Sequence, residues 1–221
     1  VSSRDGARAD DSSGVPPPPY EARPARFESC LSTWGAGFLK PRFGALGTSV
    51  QRVVLGDALP ALLPGVVPGA IDPAILQRAV DPPTGWAGIS VRVLCQRAPS
   101  GEWFQNPGVA RRSRVDPVVN AARGADVSPA DHVLPSACLE QISRACVATC
   151  EALSNGEEGL LAVELGVDLV LDVDHLPHVI EVNSRPRGRL EVLAELQPGR
   201  FADAHTEACA RPLRRLAALA G

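Results

Sequence analysis

Hydrophobic and polar residues alternate through much of the first half of the chain, which is the period of strands exposed on one face. The clearest case is the segment SVQRVVL at 49–55. This segment is expected to pair as a hairpin with a strand at 37–40, because glycines 44 and 47 lie in the loop between them. Further strands are predicted at 74–80, 90–96, 102–104 and 109–112, and a short helix is predicted at 26–34.

From residue 136 onward the apolar period becomes helical. Leu139, Ile142, Val147 and Leu153 fall near one face of a helix of about four turns. Strands at 161–172 and 178–183, a turn at 174–177, and helices at 189–196 and 204–219 follow. The last helix is expected to be interrupted at Pro212, which has no backbone N–H to donate. Strands in the middle of the chain and helices at its end predict an α+β fold with a largely antiparallel sheet.

Composition narrows the class of protein. The 221 residues are 45% hydrophobic but only 4% aromatic, which predicts a core of Leu, Val and Ala. A net charge of -3 argues against a nucleic-acid partner, since general nucleic-acid binders carry a basic surplus. No apolar stretch reaches ~18 residues, so no membrane partner is expected. Residues 1–25, rich in proline and small polar residues, are expected to form a disordered leader or linker.

The six cysteines include no C-x-x-C pair, and the chain does not start with a signal-peptide pattern. These features predict a reduced, cytoplasmic protein. Cys146 and Cys150 lie four residues apart on a predicted helix and could share a metal ion. Small, buried apolar residues are the favoured interpretation of this pair.

A single lysine, Lys40, stands among the 22 basic residues, directly before a glycine-containing loop. An ammonium is a compact charge that fits between phosphate oxygens, and glycines 44 and 47 allow backbone N–H groups to approach a triphosphate. The alternative is a solvated lysine beside an ordinary hairpin. The order of these residues is not that of the G-x-x-x-x-G-K-[ST] phosphate loop.

Three oxygen-bearing side chains are predicted to converge on the later hairpin. Glu181 and Asn183 are two residues apart on one strand and therefore share a face. Asp168 precedes Glu181 by 13 residues, a separation that a turn at 174–177 can close. Carboxylate and amide oxygens are the ligands that Mg²⁺ prefers. An acidic hairpin with solvated edges is the alternative.

Together these motifs resemble the ATP-grasp superfamily, and most closely its YheC/YheD-like, endospore coat-associated branch. Residues 39–47 are similar to a family strand of the form apolar-Lys-Pro-x-x-Gly-x-x-Gly. Residues 164–168 and 180–186 are similar to the family signatures Glu-Leu-Gly-x-Asp and Ile-Glu-Val-Asn-Ser-x-Pro. The resemblance implies an ATP-grasp domain over 26–221, in which subdomains 26–80 and 81–221 grip ATP between mainly antiparallel sheets.

The resemblance also implies a role for each matching residue. Contacts to the nucleotide fall to Lys40, Gly44, Gly47, Gln77 and Arg78, and Mg²⁺, or Mn²⁺ as the alternative ion, falls to Asp168, Glu181 and Asn183. The transferred phosphoryl group would face Arg92, Arg112 and Asn120, with Arg112 chosen over its neighbours. Ser90 stands where the family usually has Asp.

The activity implied by the resemblance is ATP-dependent activation of a small-molecule or peptide carboxylate as an acylphosphate, followed by attack of an amine. ATP-grasp enzymes normally have an N-terminal substrate lobe, and only the 1–25 segment precedes the match here. We therefore expect that lobe to be missing and to be supplied by a partner or a preceding region. The alternatives are a non-catalytic ATP-binding or structural, coat-associated protein, and a phosphotransferase that stops at a phosphorylated product.

Overall fold

The computed structural model describes residues 20–21, 27–41, 49–57, 74–155, 162–184, 186 and 190–220. Gly44, Gly47 and the predicted leader, apart from Tyr20 and Glu21, lie outside the described residues. The described residues form two antiparallel sheets with helices packed on them.

The smaller sheet contains the predicted hairpin. Its strands are β1 (Tyr20–Glu21), β2 (Ala36–Pro41), β3 (Gln51–Val54) and β4 (Ala74–Arg78), in the order β1-β4-β2-β3. Helix α1 (Phe27–Trp34) covers one face, where Phe27 and Leu31 pack on Leu39 and Leu76. The hairpin of β2 and β3 is confirmed. Strand β1, which pairs with β4, lies within the segment predicted as a leader.

The larger sheet holds most of the core. It contains β5 (Gly88–Arg97), β6 (Trp103–Gln105), β7 (Val109–Ser113), β8 (Asp126–Pro129), β9 (Glu164–Leu171) and β10 (Pro177–Asn183). Its order is β10-β9-β5-β7-β8, with β6 paired to the end of β5. Short 3₁₀ turns at Ala121–Arg123 and Ala130–His132 lie next to β8. These antiparallel pairings confirm the predicted α+β class.

Helix α2 (Ser136–Ser154) packs on one face of this sheet. Its buried residues are Cys138, Ile142, Ala145, Cys146 and Cys150. Of the predicted residues, Ile142 is buried and Leu139 packs against the core, whereas Leu153 is 52% exposed. The buried positions follow the helical spacing i, i+4, i+7, i+8 and i+12, so they form one stripe. The predicted face was right at Ile142 and wrong at Leu153, because small thiols occupy most of the sheet-facing positions, and burial of Cys146 and Cys150 is confirmed.

The chain ends with helices α3 (Glu191–Leu196) and α4 (Pro198–Ala220). Contrary to the sequence prediction, α4 continues through Pro212. Proline cannot donate to the carbonyl four residues earlier, which here is that of Ala208. The Gln96 side chain on β5 supplies the missing donor, with Nε2 2.6 Å from the Ala208 oxygen. A contact from the sheet thus allows a proline within a helix.

Candidate functional site

Lys40 lies on the face of the smaller sheet that α1 leaves open. Strand side chains alternate, so burial of Leu39 against α1 directs Lys40 to the opposite face. Gln77 on β4 shares that face, and its Oε1 accepts a hydrogen bond from Lys40 Nζ at 3.0 Å. The sole lysine is therefore held in place rather than free in solvent.

Asp168 is the anchor of the site on the larger sheet. It lies directly across from Arg92, whose Nε and Nη2 donate to the two carboxylate oxygens at 2.8 and 2.5 Å. Arg111 on β7 lies on the same face, with Nη1 3.5 Å from Asp168 Oδ1. The carboxylate is only 8% exposed, which makes this a nearly buried ion pair.

The hairpin of β9 and β10 brings the predicted oxygen ligands together. A register shift between Val179 and Glu181 sets Glu181 opposite Asp168. Asn183 follows two residues later, and its Nδ2 donates to Asp168 Oδ2 at 3.0 Å. The predicted convergence of these three side chains on one face is confirmed in the backbone register.

Gly166 of the first motif and Pro186 of the second lie close together. Gly166 pairs with Asn183, and a Cβ built at Gly166 would lie 2.8 Å from the Pro186 Cβ. A side chain there would push Pro186 away from the sheet. The Glu-Leu-Gly-x-Asp segment therefore allows the chain after Asn183 to return closely over β9.

The two sheets meet at this site. Gln77 Nε2 lies 3.4 Å from the Ile180 carbonyl oxygen, beside Glu181. Burial lowers the pKa of the Lys40 ammonium, while the charges of Glu181 and Asp168 partly oppose that shift. Lys40 is thus within electrostatic reach of both acids, although it comes from the other sheet.

The two arginines differ in how well they are compensated. Burial opposes the charge of Arg92, but its hydrogen bonds to Asp168 and the charges of Asp168 and Glu181 outweigh burial and raise its pKa. Burial lowers the pKa of Arg111, and repulsion from Arg92 acts in the same direction. Asp168, 3.5 Å from Arg111 Nη1, only partly offsets this shift.

The structure does not bring every predicted residue to this cluster. Arg112 lies across from Ile89 on the face that α2 covers, with its guanidinium 5.0 Å from the Trp86 ring centre. Its neighbour Arg111 takes the predicted place, because alternation directs the two to opposite faces. Asn120 precedes the first 3₁₀ turn and accepts backbone hydrogen bonds from Arg123 and Ala125. Arg78 ends β4 and is exposed.

The donor set of Asp168, Glu181 and Asn183 fits a hard divalent ion such as Mg²⁺. Two carboxylates and one amide carbonyl are oxygen ligands, and they share one face of β9 and β10. No group of three His, Cys, Asp or Glu residues that could hold a metal ion occurs within the described ranges.

The chain belongs to the YheC/D-like ATP-grasp family, whose model matches residues 71–201. This match covers β4 and all of the larger sheet, and therefore includes every site residue from Gln77 to Asn183. No curated protein sequence matches the chain significantly.

Solved structures show the same fold. A D-alanyl-alanine synthetase A from Vibrio cholerae aligns with a TM-score of 0.56 at 13% identity, over 92% of this chain and 62% of that one. An L-amino acid ligase from Bacillus licheniformis aligns with a TM-score of 0.52 at 17% identity, over 80% and 38%. An ADP complex of N5-carboxyaminoimidazole ribonucleotide synthetase gives 0.50 at 15%, over 81% and 43%. The chain thus spans less than two thirds of each of these proteins.

Within the part of the chain that the structure describes, no helix is long and apolar enough to cross a bilayer.

Proposed function

We propose that this chain carries the ATP-binding and phosphoryl-transfer centre of an Mg²⁺-dependent carboxylate-amine ligase. The observation that carries the proposal is the convergence of Lys40 with Asp168, Glu181 and Asn183 across two sheets. Three cations, Lys40, Arg92 and Arg111, surround two carboxylates there. Such a site suits a polyphosphate that carries its own divalent ion.

In this reaction an oxygen of the substrate carboxylate attacks the γ-phosphorus of ATP, and the bond to the β-phosphate oxygen breaks to release ADP. The amine nitrogen then attacks the acyl carbon, inorganic phosphate leaves, and the amine gives up a proton to solvent. No side-chain nucleophile is needed, so the protein acts by positioning and by electrostatic stabilisation.

Each site residue has a role in this scheme. Lys40 holds the triphosphate, and Gln77 orients Lys40 through the hydrogen bond from its ammonium. Arg78, Gly44 and Gly47 complete the nucleotide contacts that the family resemblance implies. Arg111 stabilises the transferring phosphoryl group, and Arg92 holds Asp168 in place. Asn120 is assigned to the phosphoryl group by the family resemblance, and it lies next to Ala121, which lines a pocket together with Arg92 and Arg111.

Asp168, Glu181 and Asn183 would hold Mg²⁺, with Mn²⁺ as an alternative ion. When bound, the ion neutralises charge on the phosphate oxygens. Glu181 is the acid best placed for this task, because both oxygens of Asp168 already accept hydrogen bonds from Arg92. Asn183 fixes Asp168 through its amide N–H.

The aligned structures are longer than this chain, so we also propose that a partner or a further region supplies part of the substrate site. This is separate from the ATP site, whose side chains all belong to this chain.

The test is the formation of ADP and of a hydroxamate when Mg²⁺-ATP, a panel of carboxylic acids and hydroxylamine are supplied. Hydroxylamine intercepts an acylphosphate, whereas a phosphate ester gives no hydroxamate. Both products should form with the wild-type chain, slowly in the absence of the region that completes the substrate site, and both should be lost in Lys40→Ala. ATP binding without either product would instead support the non-catalytic, coat-associated alternative, and ADP without hydroxamate would support a phosphotransferase.

A further inference from the structure

A pocket opens beside Arg111 on the site face of the larger sheet. Arg92 and Arg111 both line it. Its other lining residues come from three parts of the fold: Leu94 and Val109 of the sheet interior, Val127 of the edge strand, and Leu190 and Val192 where α3 begins. The pocket therefore combines two cationic side chains with apolar ones.

The size of the pocket limits what it can hold. It encloses about 80 Å³. An apolar cavity of about 150 Å³ holds benzene, so this pocket takes a substituent of roughly two to four carbon atoms.

No acidic side chain lines the pocket within the described residues. Asp168 is the acid closest to Arg92 and Arg111, but both of its oxygens already accept hydrogen bonds, from Arg92 and Asn183.

Ser90 lies on the same face, at a position where the family usually has an aspartate. It lies across from Arg111 and two residues from Arg92. Its hydroxyl is buried without a hydrogen-bond partner. An aspartate here would give Arg111 a second carboxylate, whereas serine leaves Asp168, which Arg111 shares with Arg92, as its acidic neighbour and places a neutral hydroxyl beside it.

We propose that the acid substrate is a short-chain, apolar carboxylic acid without a charged α-ammonium group. The inference rests on the proposed function and narrows its substrate class. Arg111 binds the carboxylate, and the substituent lies against Val109, Val127 and Leu190. A free amino acid would place its ammonium between two guanidiniums and apolar walls, where burial of an unpaired charge is unfavourable.

The experiment compares butyrate with 2-aminobutyrate, which differ by the α-ammonium group, and includes octanoate as an acid too long for the pocket. Hydroxamate formation is measured with Mg²⁺-ATP and hydroxylamine. Butyrate should be used with a kcat/KM at least about tenfold above that of 2-aminobutyrate, the scale of leaving a charged group unpaired. Octanoate should give less product than butyrate.

A binding measurement decides the same question without turnover. With a non-hydrolysable ATP analogue and Mg²⁺ present, butyrate should raise the melting temperature and 2-aminobutyrate should not. A preference for 2-aminobutyrate in either assay overturns the substrate class but leaves the ligase proposal standing. Loss of hydroxamate with every acid, while the butyrate shift persists, overturns the ligase proposal alone.

A variant at the rim tests the cause of the selectivity. Val192 is 38% exposed in the first turn of α3, so Val192→Asp can be accommodated and introduces a partner for an ammonium. This change should shift the ratio of kcat/KM toward 2-aminobutyrate by about fivefold, the scale of an exposed ion pair. Val192→Asn is the matched control without charge, and an equal shift in both variants would overturn the electrostatic explanation.

Discussion

Replacement of Gln96 tests how α4 is held on the larger sheet. The Gln96 side chain is fully buried. Its Nε2 donates to Glu164 Oε2 at 3.1 Å and to the Ala208 oxygen at 2.6 Å. Its Oε1 accepts from Asn106 Nδ2 and Arg211 Nη1, both at 3.0 Å. A carboxamide has two N–H donors and two acceptor lone pairs, so Gln96 uses its full capacity.

Gln96→Leu replaces the carboxamide with an apolar side chain of similar size and removes all four hydrogen bonds. The Ala208 carbonyl is left without a hydrogen-bond donor, because Pro212 has no N–H that could replace the one from Gln96. Asn106 keeps its hydrogen bond to the Leu94 oxygen. A buried polar group left without a partner costs about 1–3 kcal/mol, so we expect the free energy of unfolding to fall by about 2–4 kcal/mol.

The assay is equilibrium unfolding in urea followed by circular dichroism, with Gln105→Leu as the control. Gln105 makes one exposed hydrogen bond, from Nε2 to the Ser143 oxygen at 3.0 Å. Its replacement should lower the free energy of unfolding by less than about 1 kcal/mol. Equal losses for the two variants would refute the argument that Gln96 satisfies a buried network.

A double-mutant cycle isolates the contact with the helix. Pro212→Ala restores an N–H that can reach the Ala208 carbonyl, so it should be more stabilising in the Gln96→Leu protein than in the wild type. The expected coupling is about 1 kcal/mol, the value of one hydrogen bond. A coupling of zero would show that Gln96 does not substitute for the missing helix hydrogen bond.

Three further outcomes are expected. Lys40→Ala should abolish most of the rise in melting temperature that Mg²⁺-ATP causes in the wild type. Because burial lowers the pKa of Lys40 from 10.5, the wild-type rise should decline with increasing pH earlier than it would with an exposed lysine. Arg111→Gln should reduce hydroxamate formation far more than Arg112→Gln, measured as kcat/KM; equal losses would contradict the facial assignment. Cys146→Ser should lower the free energy of unfolding by about 1–3 kcal/mol, and Cys209→Ser should leave it unchanged, by urea titration.

The hairpin of β9 and β10 could be predicted because its information is local. Alternation fixes that Glu181 and Asn183 share a face. The pairing near the turn, Val179 with Leu169, would by itself place Ile180 opposite Asp168, and the bulge between Val179 and Glu181 brings Glu181 there instead. That bulge was not predicted from the sequence. The hairpin that carries Lys40 was predicted from local alternation. Contact between the two sheets, through Gln77 and Ile180, depends on residues 103 positions apart and was accessible only through the family resemblance.

The choice between Arg111 and Arg112 required the register of β7 on β5. In that register Ala110 packs into the core, and Arg112, two residues later on the same face, lies against Ile89 and Trp86. Two adjacent arginines give no hydrophobic signal of their own. The strand pairing of Ser90 with Arg111 decides the matter, and it comes from tertiary structure.

The helices show two other limits of sequence patterns. Large apolar residues suggested one face of α2, whereas the sheet accepts the cysteine stripe through Cys138 and Cys146. Pro212 predicted a break in α4, but Gln96, distant in the sequence, compensates for the lost donor. In both cases a partner element changes the local preference.

Lys40 and Glu181, from different sheets, are proposed to act on one ATP–metal complex. Isothermal titration of ATP with and without Mg²⁺ can separate their contributions, using wild type, Glu181→Gln and the control Asp174→Asn from the nearby turn. Mg²⁺ should strengthen ATP binding in wild type and in Asp174→Asn, and Glu181→Gln should lose at least about tenfold of that gain. ATP binding that is independent of Mg²⁺, or equally affected by the two substitutions, would show that Glu181 does not act on an ATP–metal complex.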